Sequence, residues 1–173
     1  MSALTFKERY CQEWERKGNP RERIALEWLR LTFPFEVIPT GNGVMSPDWN
    51  GDVGSTPDFY VPHLKLWVEV TGSDCTRAQS LSRCIRHFRT AEPCLFVREG
   101  KVAEAKVNRI VSHLTFMSVN EMDGSVLFMP CAKVVKYSLV EGYEPGGERY
   151  YMIPWRDWMR PGDFAHLVWR ADP

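Results

Sequence analysis

A chain of 173 residues, 44% of them hydrophobic, has the material for one compact domain with its own core, and its zero formal net charge signals no composition-wide attraction to nucleic acid or lipid. No apolar run approaches the ~18 residues a membrane span needs and the N-terminus lacks a secretory leader's apolar stretch, which excludes a membrane protein and predicts a cytoplasmic location. Five cysteines, at 11, 75, 84, 94 and 131, are odd in number and scattered without a C-x-x-C pair, which argues against a disulfide framework and a structural zinc site.

In chain order, the first helix is predicted over about 20–31. Asn19 suits the N-cap, Pro20 the first helical position, and Glu22 the glutamate place of a capping box. At helical spacing Ile24, Glu27, Trp28 and Leu31 share one face, which aims Glu27 at apolar neighbours, where an acid needs a partner. A short strand over 35–38 precedes the stretch GNGVMSPDWNGDVGSTP (41–57), which reads as a long loop. Asp48 and Asp52 within it suit turn hydrogen bonds, with a second cation site as the alternative. Runs over 58–61 and 64–70, separated by Pro62 and His63, predict a tight hairpin. In its second strand Leu66, Val68 and Val70 face one way, while Lys65, Trp67, Glu69 and Thr71 face the other. The following helix, over about 76–90, is expected to bury Ala78, Leu81, Ile85 and Phe88 and to leave Gln79, Arg83 and Arg86 on another face. A strand over 94–97, a helix near 103–111 and a strand near 114–119 come next. From Val126 the chain is strand-rich and holds nine of its 22 aromatic residues, which are read as core. One domain spanning 1–173 is expected, with a core over about 20–120 and a C-terminal strand-rich extension over about 121–173.

Charge is unevenly distributed. Residues 36–75 carry six acids (Glu36, Asp48, Asp52, Asp58, Glu69 and Asp74) against one base, Lys65. Residues 76–110 reverse this, with eight bases and three acids, as a cation site beside a phosphate-binding face would require. Asp58 and Glu69 fall near each other across the hairpin, so both can aim at one divalent cation. Magnesium prefers hard oxygen ligands and keeps several waters, so one or two carboxylates on rigid strands suffice. The histidines at 63, 87, 113 and 166 show no ligand spacing, and no Walker loop, dinucleotide fingerprint or G-x-S-x-G elbow occurs.

Pro57-Asp58 followed by Glu69-Val70-Thr71 resembles the PD-(D/E)XK motif of restriction enzymes, Holliday junction resolvases and phage exonucleases. The resemblance covers roughly residues 20–97. It implies an α/β fold in which a mixed central β-sheet is flanked by helices, and a nuclease that cleaves DNA with Mg2+ or Mn2+. It further implies that Asp58, Glu69 and the Val70 carbonyl ligate the metal, and that Glu27 is the helical glutamate many members place before the first strand. The helix after Thr71 then lines the substrate side, with Gln79 as its polar contributor and Arg77, Arg83 and Arg86 toward the phosphates. Many duplex cutters pair two active sites, which admits a homodimer.

The chain departs from the motif at Thr71, where the family carries lysine. A threonine hydroxyl can orient water but cannot offset transition-state charge. Lys65 shares the face of Glu69 but lies roughly 13 Å away at ~3.3 Å per residue of strand. Arg77 and Arg83 can reach in from the helix, and Arg83, one turn beyond Gln79, is the favoured substitute. The alternative is a DNA-binding module on the same fold that has lost catalysis. A protein-interaction subunit built on that scaffold, with its aromatics as the contact surface, is a third reading.

Overall fold

The computed structural model describes residues 19–40, 56–142 and 147–170. Most of the predicted long loop lies outside them, with Asp48, Asp52 and Cys11.

The described chain runs α1 (Asn19–Thr32), β1 (Ile38–Pro39), β2 (Phe59–Val61), β3 (Leu66–Ser73), α2 (Arg77–Phe88), β4 (Cys94–Arg98), α3 (Glu99–Val107), β5 (Leu114–Asn120), β6 (Val126–Pro130), α4 (Cys131–Val134), β7 (Ser138–Glu141), β8 (Arg149–Pro154) and α5 (Pro161–Arg170). A central sheet is ordered β1-β2-β3-β5-β6 and a smaller one β4-β8-β7. In the central sheet only β3 and β5 run parallel. Their crossover, carrying α2, β4 and α3, is long because parallel neighbours cannot be joined by a tight turn. The fold is therefore α/β, with a mixed central sheet flanked by helices, as the sequence predicts.

Strand alternation sorts the side chains into two cores. On one face Phe59 and Val61 of β2, Val68 of β3, Met117 and Val119 of β5, and Val126 and Phe128 of β6 pack against Ala25, Leu29 and Phe33 of the α1 segment and Phe164 of α5. On the other face Leu114, Phe116 and Met129 meet Val102 and Ala105 of α3, Val134 of α4, and Leu95, Val97 and Ile153 of the smaller sheet. β5 is buried along its whole length because it is covered on both sides.

Several elements differ from the sequence reading. The inward face of α1 carries Ala25 and Leu29, while Leu31 is 88% exposed. Ile24 and Trp28 pack only at its flank, so the true stripe is rotated from the expected one. In α2 the buried residues are Ser80 and Cys84, and Ile85 is exposed. Small side chains let this helix sit close on β4, where Ser80 Oγ donates to the Cys94 carbonyl at 2.8 Å. The hairpin corner is a single 3-10 turn, Pro62–Leu64, closed by Lys65 in the left-handed region. In the strand-rich C-terminal third, β6 joins the central sheet and β8 supplies the partner of β4. Cys75, Cys84, Cys94 and Cys131 are buried free thiols. Among the described residues no helix is long and apolar enough to cross a membrane.

Candidate active site

The site begins where two strands part. β2 and β3 pair at Val61↔Leu66, Tyr60↔Trp67 and Phe59↔Val68, and there β2 ends while β3 continues to Ser73. The next amide of β3 pointing to that edge, Val70 N–H, donates to Asp58 Oδ2 at 2.6 Å. A carboxylate thus takes the place of the missing backbone partner, and Asp58 is fixed at the fork. Its carbonyl accepts from Thr40 N–H at 2.9 Å, and Thr40 Oγ1 donates to the Pro57 carbonyl at 2.7 Å, so the segment before β2 is pinned as well. The N–H and C=O of one strand residue point to the same edge. The Val70 carbonyl therefore faces the fork, while its side chain packs into the α1-side core.

Glu69 projects from the other face of β3 and is 8% exposed. Its Oε1 lies 2.9 Å from Nζ of Lys101, the third residue of α3. Burial, with the nearby charges of Asp58 and Glu104, raises the Glu69 carboxyl from 4.5 to about 8 against the opposing pull of Lys101. Burial likewise raises Asp58 from 3.8 to about 7, helped by the charge of Glu22 and opposed by the Val70 amide and Lys101. For Lys101 burial acts to lower the ammonium, but Glu69, Asp58 and Glu104 together outweigh it and hold the group above its ordinary value. Two acids and one cation therefore share a poorly hydrated site, in which the acids compete for too little positive charge. Glu69 and Lys101 line a small cleft with Pro57, Glu104, Asn108 and Ile110. A larger groove, lined by Lys65, His113, Phe164 and Leu167 among others, has no acid in its lining and lacks this chemistry.

The remaining sequence candidates take different places. Glu27 is exposed, whereas Glu22, which shares the inward stripe with Ala25 and Leu29, is the α1 acid whose charge reaches Asp58. Gln79 closes the capping box of α2: Thr76 N–H donates to its Oε1 at 2.8 Å and Gln79 N–H donates to Thr76 Oγ1 at 3.2 Å. The capping box that the structure shows on α2 is thus closed by Gln79, the residue that the sequence reading places toward the substrate. Arg83 pairs with Asp74 at 3.2 Å on the exposed surface rather than with Glu69. Arg77 and Arg86 are exposed on α2, and Lys65 is exposed at the hairpin corner. Thr71 follows on the Glu69 side of β3 and is half-buried.

The cation facing Glu69 is thus Lys101, which sequence reasoning passed over. The predicted helix begins near 103, yet α3 starts at Glu99, directly after β4.

The residues can be tested against a divalent metal. Among the described residues no group of three or more His, Cys, Asp or Glu side chains is gathered as a ready cage. Magnesium does not need one, since it binds through one or two carboxylates and retains waters. Two neighbouring acids whose proton affinity is raised, chiefly by burial, beside a carbonyl that faces the same fork, suit such an ion.

The profile of a family described as Viral/Archaeal nuclease matches residues 52–164, a span that includes Asp58, Glu69 and Lys101. Among solved structures, that of D212, a nuclease from a fusselovirus, superposes with a TM-score of 0.52 at 15% sequence identity, covering 100% of this chain and 99% of the other. No curated protein matches the chain.

Proposed function

Since the chain belongs to the Viral/Archaeal nuclease family, we propose that it is a Mg2+- or Mn2+-dependent deoxyribonuclease of the PD-(D/E)XK type, with Lys101 standing in for the motif's lysine. The observation that carries the reading is the 2.9 Å approach of Lys101 Nζ to Glu69 Oε1, beside an Asp58 fixed at a strand fork.

Asp58, Glu69 and the Val70 carbonyl would hold the cation, offering hard oxygen donors from rigid strands. When bound, the ion supplies charge neutralisation at the phosphate and makes water more acidic. Lys101 contributes a fixed positive charge and three N–H donors, so it can hold a phosphate oxygen or a water and oppose the negative charge that develops during hydrolysis. Thr71 follows on the same strand face, where its hydroxyl would help orient water. Glu22 adds negative charge near Asp58 and raises the demand for a cation. Arg77, Arg83 and Arg86 on α2 give the backbone of a DNA strand a sequence-independent contact.

The absence of lysine at Thr71 is the one feature favouring an inactive DNA-binding module, and a lysine delivered from α3 supplies what that reading takes to be missing. The test is manganese-dependent cleavage of plasmid and branched DNA by the wild type and by Asp58→Ala, Glu69→Ala and Lys101→Met. Each variant is expected to lose about 10²–10³-fold or more, the scale of removing one preorganised charge-stabilising group. Equal rates in all four proteins would end the proposal. Salt-sensitive binding without cleavage in any metal would establish the binding module instead.

A further inference from the structure

Behind the acid pair, on the α1 side of the central sheet, lies a second charged contact. Arg21, the third residue of α1, forms an ion pair through Nη2 with Oε1 of Glu121, the residue after β5. Both side chains are mostly buried. The guanidinium reaches Glu121 by crossing β3 at Gly72. A Cβ at position 72 would overlap Nε and Cδ of Arg21 and come within 2.7 Å of its Cζ. The glycine thus leaves a bare strip of backbone on which the planar group lies. Arg21 Nε is buried there without a hydrogen-bond partner, so packing and the ion pair hold the side chain in place.

The anchor is rigid. Glu121 N–H donates to the Ser73 carbonyl at 3.0 Å, and Asn120 Nδ2 donates to the Cys75 carbonyl at 3.2 Å, so the ends of β5 and β3 are tied together where the ion pair lands. Asn120 Oδ1 also accepts from Met122 N–H at 2.9 Å, which fixes the turn beyond. At the other end of the connection, the residue after Arg21 is Glu22, the acid whose charge reaches Asp58.

We infer that Arg21 is a positioning residue: laid over Gly72 and clamped to Glu121, it sets the rotation and height of the start of α1 so that Glu22 faces Asp58. This rests on the reading of Asp58 and Glu69 as a metal site. The geometry explains why a helix whose buried stripe ends in a glutamate can present that glutamate at the fork instead of withdrawing it to solvent. A rotation of one residue, about 100° on a helix of 3.6 residues per turn, would carry Glu22 off the inward face.

The test is a double-mutant cycle read by Mn2+ affinity in isothermal titration calorimetry, with amide hydrogen exchange of α1 as a second readout. The proteins are the wild type, Arg21→Ala, Glu22→Gln and the double variant. Gly72→Ala, which displaces the guanidinium without removing its charge, is measured beside Arg21→Ala. Arg21→Ala and Gly72→Ala are each expected to weaken Mn2+ binding about tenfold when Glu22 is present and less than twofold in the Glu22→Gln background, with faster exchange at the start of α1 in both. Equal losses with and without Glu22 overturn the inference, because Arg21 would then act only on general stability. If either variant fails to fold, Glu121→Gln, which keeps the shape and removes the charge, is taken through the same cycle. Mn2+ binding indifferent to Asp58→Ala would sink the metal-site reading itself. The clamp is then decided by exchange alone, and unchanged protection of α1 in Arg21→Ala rejects it.

Discussion

At Glu69 three influences compete: burial and the nearby Asp58 favour the protonated form, while Lys101 favours the charged one, and the first two prevail. Asp58 is raised in the same direction by burial and Glu22. Both carboxyls therefore hold protons more tightly in the folded protein than in the unfolded chain. Stability from this source is fully present below the ordinary carboxylate values and is lost as pH rises through about 7 and about 8. Thermal unfolding of the metal-free protein should show Tm falling between pH 5 and pH 8.5, by about 2–4 °C for each kcal/mol lost in a domain of this size. Glu69→Gln should reduce that slope and leave the part that Asp58 supplies, and a variant with the wild-type slope would place the titration elsewhere. Added Mn2+ should raise Tm more at pH 8 than at pH 6, since metal and proton compete for the same oxygens. At this scale the nearness of Asp58 and Glu69 was legible in the sequence, because a two-residue period across a hairpin places both side chains on one sheet face. It was not legible for Lys101. What brings Lys101 to Glu69 is the packing of α3 against the sheet, and no spacing along the chain encodes that distance.

Among the elements, α2 lies within its predicted span of about 76–90, but its cap and its buried face differ from the sequence reading. Thr76 and Gln79 close both hydrogen bonds of a capping box. Thr76→Ala should cost about 1 kcal/mol, or about 2–4 °C in Tm. Gln79→Ala should cost somewhat less, with DNA affinity unchanged in a filter-binding titration. A tenfold loss of affinity from Gln79→Ala would instead put that side chain on the substrate. The apolar stripe was misread because α2 buries Ser80 and Cys84, which carry little weight in a hydrophobic pattern, while Ile85 looks outward. α1 erred the same way: Trp28 and Leu31 draw the predicted face toward themselves, whereas the core is entered by Ala25 and Leu29. Caps are written in local hydrogen-bond chemistry and survive any tertiary context. A buried stripe depends on what lies opposite, and small residues fit where a helix sits close to a strand.

Across the whole molecule, the last helix completes the first core. Phe164 stacks on Phe128 of β6 at 4.1 Å between ring centroids and meets Phe33 edge-on at 6.3 Å, and Phe128 also touches Trp28. Phe164→Ala should cost about 3–5 kcal/mol in chemical denaturation, the range for truncating a buried aromatic. A cost under 1 kcal/mol would mean α5 is only loosely docked. The mixed sheet and its helices are what the motif resemblance implies, but the pairing of β4 with β8 is not in the sequence reading, because strand partners so far apart in sequence leave no local trace. That pairing also bears on timing. β4 joins no strand of the central sheet; its partner, β8, arrives dozens of residues later and carries Arg149, whose guanidinium makes paired hydrogen bonds of 2.7 and 2.6 Å to Glu99 at the start of α3. During synthesis the acids of the hairpin emerge early, yet the scaffold that seats Lys101 is incomplete until the chain has been made through Pro154. At ~5–20 residues per second this leaves an interval of several seconds. On the proposed reading of the site, a ribosome-bound fragment then holds both carboxylates without their properly supported lysine, and cutting should begin only after the chain has been made through Pro154.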